Sequence, residues 1–224
     1  YLGDKRILVT GAGGSIGSEL CRQIVKFAPS SLIMVDIYEN NLYDLQMEFD
    51  MLKRKDTELD AICMEFIIAS VIDQKALDSI FDEYKPQVVY HAAAHKHVPL
   101  METVPREAFI NNVYGSYRVI KTCIDHKVEK FILISTDKAV NPTNVMGATK
   151  RIVELMVQAY KNNGITNLSA VRFGNVLNSH GSVIPLFRKQ IETDRVVTIT
   201  DPEIKRYFMS IPEASQLVIQ AGAY

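Results

Sequence analysis

Three consecutive residues carry the most chemistry in this chain: Thr136-Asp137-Lys138, directly after the apolar run Phe131–Ser135. A carboxyl group and an amine side by side at a strand end suit proton chemistry on a carbon acid, because one can give a proton where the other takes one. A second amine, Lys150, follows on the next predicted helix. It is four residues after Met146, so the two share one helical face. The plain alternative is a helix-capping aspartate and a surface lysine.

A glycine turn supports the chemical reading. Gly11-Ala12-Gly13-Gly14-Ser15-Ile16-Gly17 follows the predicted strand Arg6–Thr10 and opens a helix at Ser15. Glycines 11, 14 and 17 allow a tight turn, close approach of a pyrophosphate and packing of helix on strand, with free N–H groups facing the phosphates. Asp36 ends the second strand, placed to accept from ribose hydroxyls and to repel a 2′-phosphate, which favours NAD over NADP. Ser70-Val71 follows the third strand, beside the expected adenine position, with Ser70 a candidate donor. Lys150 is then placed to reach the nicotinamide ribose, while residue 146 faces the substrate.

The stretch His91-Ala92-Ala93-Ala94-His95-Lys96-His97 lets the backbone pass close to a flat cofactor at Ala92, Ala93 and Ala94. Three histidines invite a metal reading, but no carboxylate or cysteine completes a ligand set at short range, and a strand-to-loop path points the rings apart. No metal site is expected. Lys96 and His97 are candidates for a phosphate or sugar, with a solvated loop as the alternative.

The elements that must position these groups alternate. Strands are predicted at Arg6–Thr10, Leu32–Asp36, Met64–Ala69, Val88–His91, Phe131–Ser135 and Ser169–Phe173. Helices are predicted between them at Ser15–Phe27, Asn40–Lys55, Gln74–Tyr84, Val104–His126 and Thr143–Asn162. This order implies an α/β fold, a doubly wound parallel sheet of Rossmann type covered on both faces. After Arg172 the rhythm breaks. A dinucleotide-binding domain over 1–173 and a smaller, partial substrate-binding lobe over 174–224 are expected. The lobe would hold a short helix near Val183–Glu192, a strand at Val196–Thr200 and a last helix near Pro212–Gly222.

Composition agrees with one α/β domain: 224 residues, 47% hydrophobic and 23% charged. A net charge of −1 gives no nucleic-acid footprint. Cys21, Cys63 and Cys123 are far apart with no C-x-x-C pair, and read as small buried hydrophobes in a reducing compartment. No apolar run reaches the ~20 residues that span a bilayer. Tyr1 and Tyr224 read as cut ends, so the chain is expected to be part of a longer protein, cytoplasmic or on the cytoplasmic face of an inner membrane.

Together the glycine turn, Asn112-Val113-Tyr114-Gly115, the Thr-Asp-Lys segment and Lys150 resemble an extended short-chain dehydrogenase/reductase. More narrowly, His91–Glu102, Ser135–Lys150, Arg172-Phe173-Gly174-Asn175-Val176, Gly181–Phe187 and Glu213–Ala221 resemble the polysaccharide-biosynthesis UDP-N-acetylglucosamine 4,6-dehydratases. That resemblance covers nearly the whole chain. It implies bound NAD, a UDP-sugar substrate and a C4 ketone that acidifies C5. Lys138 would take the C5 proton as a neutral amine, Asp137 would protonate the departing C6 hydroxyl, and Thr136 would bond the C4 oxygen. Asn112 would serve the cofactor site. Asn175, Ser182, Val183, Pro185 and Arg206 would hold the UDP moiety, Arg206 with its fixed fork. Simple 4-epimerases of the same fold lack the Asp-Lys pair, and a catalytically silent NAD-binding module is the third reading. Helices 104–126 and 143–162 could pair in a homo-oligomer.

Met146 departs from the wider superfamily, where a tyrosine takes the C4-hydroxyl proton. A thioether cannot. Three explanations compete: another base serves, such as Lys150, Asp137 or water; the chain is a pseudo-enzyme; or it belongs to the branch, often fused to membrane segments, that carries methionine here. The last fits the intact Asp137, Lys138 and Lys150.

Overall fold

The computed structural model describes residues 1–162, 164–179, 183–193, 195–199, 201–203 and 205–224. Strands β1 (Arg6–Thr10), β2 (Ser31–Asp36), β3 (Cys63–Ile68), β4 (Val88–His91), β5 (Lys130–Thr136) and β6 (Asn167–Phe173) form one parallel sheet. Its order is β3-β2-β1-β4-β5-β6. The order reverses between β1 and β4, the switch point at which such sheets open a crevice at their carboxyl edge.

The strands read as unbroken apolar runs because both faces are covered. Along β1, Ile7 and Val9 enter one core, with Leu32, Met34, Tyr90 and Ile132 of neighbouring strands. Leu8 enters the other, with Ile33, Val35, Val89, Phe131 and Leu133. The two-residue period of a strand produces this division. Helices α1 (Ser15–Ile24) and α2 (Glu39–Lys53) cover the first face. Helix α3 (Gln74–Tyr84) covers the second.

The segment expected as one helix over Val104–His126 is interrupted. Helix α4 (Val98–Thr103) precedes it, α5 (Pro105–Ala108) starts with proline at its first position, a π-turn spans Phe109–Gly115, and α6 is Ser116–Asp125. Helix α7 (Val145–Ala159) begins at Asn144, whose side chain accepts from the Gly147 amide, the ordinary way to satisfy an N-terminal N–H.

Beyond β6 lie β7 (Asn175–Val176), α8 (Val183–Thr193), β8 (Phe208–Met209) and α9 (Ile211–Ala223). The strand expected at Val196–Thr200 does not form among the described residues 196–199. Phe208–Met209 pairs with Asn175–Val176 instead. The division at residue 173 assigned the last helix to the smaller lobe, yet Val218 and Ile219 of α9 are buried in the first core, and Gln23 of α1 donates to the Pro212 carbonyl. A capping box between Ser210 and Glu213 sets the start of α9. Cys21 and Cys123 are buried as expected, whereas Cys63, on the edge strand β3, is exposed.

Candidate active site

At the carboxyl edge of β1, β2, β3 and β4 lies a cleft of about 210 Å³. Gly11, Gly14, Asp36, Ser70, Val71, Ala92, Ala93 and Ala94 line it, so eight expected cofactor residues from four separate segments meet there. Gly11 adopts φ +69°, and a Cβ on it would lie 2.5 Å from the Ala93 nitrogen. Only glycine fits both the left-handed backbone and that approach. A Cβ on Gly17 would collide with the Gly11 carbonyl oxygen, so Gly17 brings helix and turn together without lining the cleft. Ser15 and Ile16 are likewise not among the lining residues, and Ile16 packs against the first core. Asp36 accepts from the Gly13 amide at 2.8 Å and from the Tyr38 amide at 2.9 Å, one on each oxygen. Each oxygen keeps a lone-pair direction for a further donor.

Ile37, Asn41, His95 and Asn111 also line the cleft, and sequence reasoning missed them. The signal for Asn41 was available: it sits in the first turn of the helix that follows Asp36. Asn112, expected to serve the cofactor site, bonds the backbone of His95, which lines the cleft. It is 1% exposed, its Oδ1 accepts from the His95 amide, and its Nδ2 donates to the His95 carbonyl and to Thr149. It therefore fixes the cleft's rim and does not line it.

A buried chain of hydrogen bonds continues from there. Ser116 Oγ donates to the Asn112 carbonyl at 2.5 Å, so His91 Nε2–H must donate to Ser116 Oγ at 2.8 Å, and Thr10 Oγ1 must donate to His91 Nδ1 at 2.6 Å. The imidazole is neutral: complete burial, followed by the charge of Lys150, pushes it down to about 3. Both ring nitrogens are used, which removes His91 as a metal ligand. Among the described residues no group of three or more His, Cys, Asp or Glu side chains could hold a metal ion.

The catalytic candidates stand at the end of β5. Lys138 Nζ donates to Asp137 Oδ1 at 3.0 Å and to Asn175 Oδ1 at 3.1 Å, and Thr136 Oγ1 donates to Asp137 Oδ1 at 2.9 Å. Burial works against the Asp137 carboxylate, but the hydrogen bonds from Lys138 and Thr136 and the Lys138 charge outweigh it and hold the carboxyl below its ordinary value. The resting arrangement is thus an ion pair, where the expected roles require a neutral amine and a protonated acid. The two forms hold the same number of protons. They differ by one proton passed from the amine to the acid.

Lys150 is 7% exposed and donates to the Ile134 carbonyl at 2.9 Å. Burial lowers it to about 8, against the opposing pull of Glu154. Glu154, one turn along α7, is itself buried and accepts from Ser135, Arg151 and Arg172. It ties α7 to β5 and β6, and its charge escaped sequence reasoning because its partners are distant in sequence. Met146 was expected to face a substrate. Its side chain is 4% exposed and packs with Met101, Ala108, Val98 and Val145, because α4 and α5 lie across the start of α7 and supply an apolar pocket for it.

Among the described residues, Asn175 is the expected substrate residue that touches the acid–base pair. Lys96 and His97 are exposed in the loop before α4, Pro185 is exposed on α8, and Arg206 is exposed ahead of β8. Ser182 and the Val183 side chain lie outside the described residues.

A six-stranded parallel sheet, a glycine turn at its switch point and a lysine on the helix after β5 define a Rossmann-type protein of the short-chain dehydrogenase/reductase class. The profile described as polysaccharide biosynthesis protein matches residues 7–224, and the chain belongs to that family. It is 53% identical over 223 residues to the capsular polysaccharide biosynthesis protein CapD of Staphylococcus aureus, covering 99% of this chain and 36% of CapD. It is 38% identical to the UDP-glucose 4-epimerase of Rickettsia felis, covering 97% of this chain and 62% of that protein. The structure of Pen from Bacillus thuringiensis superposes with a TM-score of 0.90 at 32% identity, covering 100% of this chain and 67% of Pen. The chain therefore spans about a third of CapD and under two thirds of the epimerase.

Proposed function

We propose that this chain forms the NAD- and UDP-sugar-binding part of a nucleotide-sugar 4,6-dehydratase acting on UDP-N-acetylglucosamine. The observation that carries the reading is the Asp137–Lys138 pair, hydrogen-bonded at 3.0 Å at the carboxyl end of β5. Epimerisation at C4 needs no base at C5 and no acid at C6, so it gives this pair no work.

The cleft suits NAD: Gly11 and Gly14 form part of its wall without side chains, and Asp36, held by two backbone amides, lines the same space. When bound, NAD would supply the oxidising equivalent that makes the C4 ketone and would return the same hydride to C6 once water has left, with C5 regaining a proton, so that the ketone stays in the product. Ser70, Val71 and the Ala92–Ala94 backbone would flank it, and Lys150 would hold the nicotinamide ribose. Thr136 orients the C4 oxygen. Lys138, once its proton has moved to Asp137, takes the C5 proton. Asp137 then protonates the C6 hydroxyl, which leaves as water. Buried Met146 has no proton-accepting atom for the C4 hydroxyl. Lys150, placed by its low value to be partly neutral near pH 8, is the proposed acceptor.

The 38% identity to a UDP-glucose 4-epimerase supports a second reading, epimerisation alone. Mass spectrometry of the sugar nucleotide after incubation with UDP-N-acetylglucosamine separates the two. Loss of one water supports dehydration; an unchanged mass with an inverted C4 supports epimerisation. No turnover, with NAD still bound, supports the catalytically silent module. A cytoplasmic location belongs to the same proposal, as does a homo-oligomer formed through the faces carrying exposed Phe109, Tyr117, Ile152 and Leu155.

A further inference from the structure

We infer that Asn175 is a positioning residue for Lys138, setting the direction in which this lysine accepts a proton. The inference rests on the dehydratase reading of the same site. An ammonium has three N–H directions, and two of them are filled, by Asp137 Oδ1 at 3.0 Å and Asn175 Oδ1 at 3.1 Å. An ammonium can only donate, so the amide must turn its oxygen toward Lys138. Asp137 Oδ1 already accepts from Thr136 and Lys138, so the proton given to the acid belongs on Oδ2; the neutral amine then keeps both contacts as an N–H donor, and its lone pair takes the third direction. The remaining direction around Nζ is then fixed by the protein and is the one open to a substrate C–H.

The backbone explains why Asn175 can do this. Its N–H donates to the Tyr207 carbonyl at 3.0 Å, pairing β7 with β8. A Cβ on Gly174 would lie 2.8 Å from that same carbonyl oxygen, so glycine at 174 permits the approach. A short pairing beyond the main sheet thus holds an amide against the base. The other face of the amide is unspent: Asn175 Nδ2 is buried and has no hydrogen-bond partner among the described residues. Buried donors are rarely left so. It is free to donate to an oxygen of the bound sugar, which would couple correct seating of substrate to the orientation of Lys138.

In the step concerned, the C5–H bond breaks. Its proton goes to Lys138 Nζ and its electron pair enters the C4 carbonyl as an enolate; elimination follows as the C6–O bond breaks and the oxygen takes the Asp137 proton to leave as water. Proton removal can be isolated with the 4-keto-6-deoxy product, whose C5 proton is already acidic. The purified protein is mixed with this ketone in D₂O and loss of the C5–H signal is followed by NMR at saturating ketone.

Asn175→Ala should lower the saturated exchange rate by about tenfold or more, with NAD binding unchanged. A residue that only binds substrate would raise KM and leave the saturated rate alone. Asn175→Asp keeps the shape and an acceptor oxygen but adds a charge that favours the ammonium. Its exchange should be slow at neutral pH and recover at higher pH than in the unsubstituted protein. Asp137 is bonded to Lys138 on its own turn, and α7, packed against that turn, carries Lys150, Arg151 and Glu154, with Arg172 of β6 paired to Glu154; this variant keeps them all. An unsubstituted protein that exchanges C5 while Asn175→Ala matches its saturated rate, or while Asn175→Asp matches its pH profile, overturns the inference alone. No exchange in the unsubstituted protein overturns the dehydratase reading and the inference with it.

Discussion

At the scale of single residues, Lys150 is where the proposed function works against stability. Burial brings its value down from 10.5 to about 8. The folded state therefore holds this proton less tightly than the unfolded chain does, and the penalty is fully present below the folded value. Stability from this group should rise as pH climbs from about 8 to about 10, where the unfolded chain also loses the proton. Lys150→Met keeps the length of the side chain and removes the buried charge. It should raise unfolding free energy at pH 7 by about 1–2 kcal/mol in urea titrations while abolishing turnover. A variant that is less stable and still active would contradict both assignments. The sequence showed that Lys150 and residue 146 share a helical face, but it could not show that α4 and α5 cover part of it. That cover depends on Met101 and Ala108, which come from a segment whose apolar pattern gives no pairing information. Similarly, the ion pair of Asp137 and Lys138 was legible as an acid beside an amine. Its present protonation was not, since it depends on Thr136, Asn175 and the degree of burial.

Among the elements, the π-turn of Phe109–Gly115 has the clearest consequence. It turns Asn112 inward to clasp the His95 backbone on both its N–H and C=O, and Ser116 and His91 lock the turn to β4. Asn112→Ala leaves those backbone groups unpaired where the loop meets the cleft. Unsatisfied buried groups cost about 1–3 kcal/mol each. The variant should lose about 2 kcal/mol of stability and bind NAD about tenfold more weakly, measured by denaturation and by fluorescence titration. Unchanged NAD affinity would remove Asn112 from the cofactor site altogether. Strands and helices of the main sheet were legible because period-two and period-3.6 patterns are local. The interruption at 109–115 was not, because the helical pattern runs through it and the cause is a contact with a distant loop. No strand forms among the described residues 196–199 for a related reason. The β-branched residues there favour an extended backbone, but a strand also needs a pairing partner, and Asn175–Val176 pairs with Phe208–Met209.

For the whole molecule, the sheet and both cores place the glycine turn, Asp36 and the β5 residues on one edge, so one segment's motif finds its partners only through the fold. α9 shows how far that dependence reaches, since it follows β8 and still puts Val218 and Ile219 into the first core. The outer faces of the π-turn, α6 and α7 keep Phe109, Tyr117, Ile152 and Leu155 exposed. If they pair between copies, the protein should elute from size exclusion as a dimer or larger, and Leu155→Glu should shift it to monomer. A monomeric unsubstituted protein would contradict that part of the proposal. The central claim is that Asp137 and Lys138 remove a C5 proton and a C6 hydroxyl. Its most direct test is mass and NMR spectroscopy of the product formed from UDP-N-acetylglucosamine in D₂O. The account predicts loss of one water and gain of one solvent deuterium at C5, both abolished in Lys138→Ala with NAD binding nearly intact. A product of unchanged mass with inverted C4 and no deuterium at C5 would contradict it.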